Sequence, residues 1–350
     1  MTYDLVIKNG RIISGGADFR GDLAIRGEKI AALGQDLTGA KEIDASGRLV
    51  IPGAIDGHVH MRTERPSFCY DETFATGSVA AAFGGTTTML DQVQAEYGRT
   101  LAAELDTRLA LAEGETAIDY AFHMNIREPI PERLEEIPAI IERGITSFKW
   151  FMAGPGWQVP EEFMMRGGAD VAASGALRSV PAGEGGVLSE MLRRAKAEGR
   201  TRMQDFNTKY PAAAEGAAAT LALAMAEIAG GRVLIFHVSC REVVEALRAA
   251  KARDVKAYGE LCLAYVTHTD EVYHGDPVAA MPFLVTPPIR DKTHQQALWQ
   301  GLRQGHLDIV STDHTVMRMV PEAQALELAA YFGLQPDIPP ADENSPMDAE

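Results

Sequence analysis

The strongest constraint in this chain is an alternation that starts near residue 51. Strand-length runs rich in apolar residues and Thr/Ser alternate with Ala/Leu/Glu/Arg stretches of helical length. Such repeats specify βα units, whose strands lie parallel. Eight runs read as strands: 54–61, 86–93, 117–126, 146–153, 176–182, 232–240, 255–262 and 307–314. Helical patterns fall between several of them, at 101–112, 131–143, 188–198, 212–229, 241–252 and 294–305. Eight repeats point to a closed (β/α)₈ barrel of the α/β class rather than an open doubly wound sheet. No G-x-G-x-x-G follows the first strand, which argues against a dinucleotide fold. Residues 1–50 differ in texture: short β-like runs punctuated by Gly10, Gly15, Gly16 and Gly27 predict a small antiparallel unit. Residues 51–335 form the barrel, and 336–350, rich in Pro, Asp and Glu, read as a solvated, disordered tail.

Composition removes several function classes. Lys and Arg total 33 against 49 Asp and Glu, a net charge of −16. That balance argues against non-specific nucleic-acid binding and against anionic membrane surfaces, since both need a basic face. No uninterrupted apolar run approaches the length of a spanning helix. The opening MTYDLVIKNG has no basic segment followed by an apolar one, and Cys69, Cys240 and Cys262 form no CxxC pair. A cytoplasmic, reducing setting is the expectation.

In a (β/α)₈ barrel, chemistry sits at the C-terminal ends of the strands. The first strand ends in Asp56-Gly57-His58-Val59-His60. Residues i and i+2 of a strand share a face, so His58 and His60 form either a metal pincer or a hydrogen-bonded pair. The fourth strand carries Lys149 among apolar residues. Either it snorkels out of the barrel mouth, or burial lowers its pKa and frees a neutral amine to react with CO₂. The resulting carbamate is an anionic oxygen ligand. His237 ends the sixth strand and Asp313 the eighth. Each alone has an ordinary structural reading; together, at the ends of strands one, four, six and eight, they read as a metal site. His123, at the end of the third strand, reads as a core hydrogen-bonding group.

These segments resemble a known family. Asp-Gly-His-Val-His, Phe-Gly-Gly-Thr-Thr-Thr at 83–88, Ser-Phe-Lys-Trp-Phe-Met-Ala at 147–153, Phe-His-Val-Ser-Cys at 236–240 and Ser-Thr-Asp-His at 311–314 look like the cyclic amidohydrolases. The similarity is greatest to the dihydropyrimidinase/hydantoinase branch and runs from about residue 3 to 314. It implies that 1–50 is part of a β-sandwich beside the barrel. It implies metal-dependent ring opening of a dihydropyrimidine or a 5-substituted hydantoin, a small-molecule cyclic amide, at a two-zinc centre. His58, His60 and Asp313 would hold one ion, a CO₂-derived carbamate on Lys149 would bridge both, and His237 would hold the second. Asp313 would also be the catalytic acid/base, and Thr286 would meet the substrate. A homo-oligomer, tetramer or dimer, is implied as well.

Three departures qualify the resemblance. Pro181 stands where the family places a fifth-strand histidine, which predicts a weakened second ion site, with Glu184 as a possible substitute ligand. Gly154 stands where the family has an oxyanion-stabilising tyrosine; Tyr258 and Tyr265 are the candidate replacements. After residue 314 the sequence holds about one helix, at 315–334, before the tail. The competing readings are therefore an inactive dihydropyrimidinase-like homologue serving in assembly or protein binding, and, more weakly, a dihydroorotase or an allantoinase.

Overall fold

The structure, a computed structural model, describes residues 2–65, 68–154 and 156–316. The expected acidic tail, and all but the first two residues of the expected 315–334 helix, lie outside the described residues. Contacts divide the chain into two units, Met1–Ala54 and Ile55–Glu350.

The first unit is a five-stranded sheet. Tyr3–Ser14 pairs antiparallel with Ala17–Arg26, which pairs antiparallel with Lys29–Gly34. The other edge corrects the expectation of a purely antiparallel unit. Gly39–Asp44 and the two-residue Leu49–Val50 both pair parallel with Tyr3–Ser14. Buried Asp22 anchors two turns of this unit, accepting from the Asn9 and Leu37 main-chain N–H groups.

The second unit is the barrel. Its strands are Ala54–His60, Thr86–Gln94, Asp119–Ile126, Ser147–Trp150, Leu177–Pro181, Arg232–Phe236, Lys256–Cys262 and a broken eighth strand, Ile309–Ser311 plus His314–Thr315. Each pairs parallel with the next. The second half of the eighth strand pairs with the first, which closes the cylinder. All eight expected strands are present. The expected helix at 131–143 is two short helices, Pro131–Glu135 and Ile137–Glu142, because Pro138 cannot donate a helical hydrogen bond.

The outer helices are held close by small residues. Ala212–Ala229 packs on Arg241–Lys251 so tightly that a Cβ at Gly216 would sit 2.6 Å from the Glu242 Cβ. The stretch Met203–Ala229 has the length and apolar composition of a membrane-spanning helix, but half of its apolar window is buried inside the protein. Pro211 divides it, and the segment after Pro211 is a core helix of the barrel. Below the strand ends, Glu215 of that helix meets Arg290 at 2.9 Å, and both groups also bind Ser239. All three are buried. This network ties the segment containing Thr286 to the end of the sixth strand. Replacing Glu215 by Ala strands a buried guanidinium, at a cost of about 3–5 kcal/mol. The expected result is a clearly lowered urea midpoint, read by far-UV circular dichroism.

Candidate metal centre

His58 and His60 leave the first strand on one face, as period-2 geometry requires. Their Nε2 atoms lie 3.2 Å apart. Asp313 Oδ1 lies 3.3 Å from His58 Nε2 and 3.1 Å from His60 Nε2. Ligand bonds of about 2.0–2.1 Å around a tetrahedral ion put neighbouring ligand atoms about 3.3–3.4 Å apart. The trio therefore fits the edges of one coordination polyhedron. Lys149 Nζ is 3.2 Å from His58 Nε2 and is buried. His237 is adjacent but outside the trio: its ring stacks 6.0 Å from that of His58, centroid to centroid. Its Nδ1 is buried without a hydrogen-bond partner, which suits a ligand lone pair.

Two of these ligands stand on unusual backbone. The sixth strand stops at Phe236, so His237 lies just beyond the strand rather than on it as expected, at φ 38°. Asp313 sits in the break of the eighth strand at φ 54°. Non-glycine residues reach this region at a cost, and such residues gather at functional sites. The break is braced from both sides. Asp56 accepts from the Thr312 main-chain N–H (3.1 Å) and hydroxyl (2.6 Å), and Glu260 accepts from the Ser311 hydroxyl.

Burial sets the protonation states. It pushes His58 well below the usual imidazole range and His237 and His123 down to about 4, leaving neutral imidazoles. It also lowers Lys149, the direction that frees an amine lone pair for CO₂. Burial opposes ionisation of Asp313, but electrostatic attraction to the His58 ring and the hydrogen bond from His60 outweigh it and hold the carboxyl well below the usual range. Burial raises the Glu260 carboxyl, while the Ser311 hydroxyl bond, Lys149 and the His237 main-chain N–H pull it back down.

Other expected residues take structural places. His123 bonds Ser147 Oγ (2.7 Å) and the Gly57 carbonyl (2.9 Å), a core role. Pro181 ends the fifth strand opposite Phe236 and offers no ligand atom. Glu184 does not substitute for it: its carboxylate caps the Gly185–Ala197 helix through the Val187 N–H. Gly154 turns at φ 104°, a conformation closed to tyrosine without strain. Tyr265 spends its hydroxyl on the Pro287 carbonyl (2.8 Å), and Tyr258 is 36 % exposed. Thr286 is exposed, outside the buried cluster. Three groups escaped the sequence reading. Glu260 and Gln94, the latter 3.4 Å from His60 Nδ1, are polar residues toward the C-terminal ends of the seventh and second strands, the strand-end signal that marked His58 and His237. Arg127, stacked 3.5 Å over Trp157, directly follows Ile126, the last residue of the third strand. A second trio, His58, Glu260 and Cys262, has ligand atoms within 4.8 Å. Burial holds the Cys262 thiol well above its usual range, so it stays protonated and a poor ligand.

No family model matches the chain. Curated proteins and solved structures do. A D-hydantoinase from Ralstonia pickettii is 37% identical over 313 residues, 89% of this chain and 68% of that protein. An allantoinase from Rubrobacter xylanophilus is 32% identical over 320 residues, 89% of this chain and 68% of the allantoinase. A solved D-hydantoinase structure superposes with a TM-score of 0.86 at 36% identity, covering 89% of this chain and 69% of its own. The chain belongs to the hydantoinase family of cyclic amidohydrolases. A dihydropyrimidinase from Brevibacillus agri superposes equally well, with a TM-score of 0.89 at 31% identity, over 94% of this chain and 72% of that one. As a hydantoinase-family barrel, the chain carries its candidate ligands at the face where such barrels do chemistry. Replacing His60 by Ala removes one corner of the trio. The expected outcome is loss of most bound divalent metal after dialysis, measured by atomic emission against the parent.

Proposed function

We propose that this chain hydrolyses the ring amide of a 5-substituted hydantoin or a dihydropyrimidine at a centre built from His58, His60, Lys149, His237 and Asp313. The observation that carries the reading is the convergence of His58, His60 and Asp313 at 3.1–3.3 Å, with Lys149 Nζ 3.2 Å from His58. The inactive-homologue reading is not favoured, because a chain released from catalysis has no reason to keep buried, desolvated ligands in this geometry. D-hydantoinases match at 36–37% identity, the allantoinase at 32%, the dihydropyrimidinase at 31% and D-phenylhydantoinases at 30%; the first of these favours a hydantoin ring.

Neutral imidazoles, a carboxylate and a carbamate on Lys149 suit zinc. A divalent ion held there supplies Lewis acidity, polarising the ring carbonyl and acidifying water. His58 and His60 orient that ion. Lys149, as a carbamate, adds negative charge where buried neutral ligands supply none. Asp313, ionised and partly open to solvent, takes the proton of the attacking water on a carboxylate oxygen and returns it to the leaving ring nitrogen. Water thus adds across the C–N bond, hydroxyl to carbon and proton to nitrogen. His237 and Lys149 would hold a second ion, which Pro181 leaves without the ligand that a fifth-strand histidine would provide.

Turnover of dihydrouracil and of 5-substituted hydantoins with added Zn²⁺ and bicarbonate is the direct test; no ring opening of either class sinks the proposal. Asp313→Asn is expected to lower kcat by two or more orders of magnitude, as loss of a general acid/base does. Pro181→His is expected to raise second-ion occupancy, read by metal analysis, together with kcat.

A further inference from the structure

Glu260 lies on the seventh strand, fully buried, and the reaction outlined above gives it no part. Its two oxygens serve groups on the first and eighth strands and the residue just past the sixth. His58 Nδ1 lies 3.2 and 3.3 Å from Oε1 and Oε2. The Ser311 hydroxyl donates to Oε1, and the His237 main-chain N–H reaches Oε2 at 3.4 Å. Both oxygens already accept, one from a hydroxyl and one from a main-chain N–H, so toward His58 the group is an acceptor as well. His58 then keeps its proton on Nδ1 and turns the Nε2 lone pair toward the space it shares with His60 and Asp313. Ser311 is two residues before Asp313, so its hydroxyl sets where the broken strand resumes. The bond to His237 holds main chain at the strained residue itself.

We propose that Glu260 is the positioning residue of the metal centre: one carboxylate, shared by His58, Ser311 and His237, sets the tautomer of His58 and the registry of the ligands around the ion. This inference rests on the reading of the site as a metal centre. Carboxylates behind metal-bound imidazoles typically change metal affinity by roughly 10–100-fold when removed.

Two measurements on the full chain test it. The first is a long-range ¹H–¹⁵N correlation of the metal-free parent, with His58 assigned by its loss in His58→Ala. The expected result is a proton on Nδ1; a proton on Nε2 overturns the proposal. The second is competition for Zn²⁺ alone against a chromophoric chelator. Glu260→Gln, which keeps shape but loses one acceptor oxygen, is expected to bind the first Zn²⁺ roughly 10–100-fold more weakly. KM for the hydantoin at saturating Zn²⁺ should stay unchanged, a split that general loss of structure would not give. Ser311→Ala keeps the carboxylate and removes one donor, so it covers the case in which Glu260→Gln does not fold; a smaller weakening is expected. A parent that binds Zn²⁺ while the variants bind it equally well overturns the positioning role alone. A parent that binds no Zn²⁺ overturns the metal-centre reading and this inference with it.

Discussion

The barrel is held closed, and its chemistry aimed, by one broken strand. Regular pairing would carry residues 309–315 straight up the cylinder and turn Asp313 to suit the pleat. Instead the ladder lapses at Thr312 and Asp313, and two buried carboxylates take over from it, Asp56 toward the first strand and Glu260 toward the seventh. The left-handed turn at Asp313 is tolerable because these bonds over-determine it. Its return is an acid placed within ligand distance of both histidines. His237 follows the same logic on the opposite side, where regular structure ends one residue earlier.

Desolvation then does most of the electrostatic selection. Side chains that water would leave charged, or half charged, are held as neutral lone-pair donors in the cylinder mouth: His58, His237 and, in direction, Lys149. Asp313 escapes this because it is the most solvent-accessible of the group and because two imidazoles face it.

Much of this was legible in the sequence because it is periodic. Parallel strands announce themselves as short apolar runs between helical patterns, and all eight were placed. His58 and His60 follow from strand alternation. Lys149 follows from the cost of a cation in an apolar strand. Glu260 carries the strand-end signal of His58 and could have been read from Lys-Ala-Tyr-Gly-Glu-Leu-Cys, but a single acid near a strand end has many ordinary explanations. What pattern cannot reveal is backbone that departs from pattern. The positive φ angles of His237 and Asp313, and the parallel edge of the N-terminal sheet, depend on contacts between residues far apart in the chain.

The aromatic ring of Phe236 lies 4.4 Å from His58 and 4.7 Å from the Lys149 amine, and His123 meets it edge-on at 5.4 Å while clamping Gly57 to Ser147. Together these rings set an apolar base beside the His58 ring and the Lys149 amine, so a guest at the cluster meets carbon on that side.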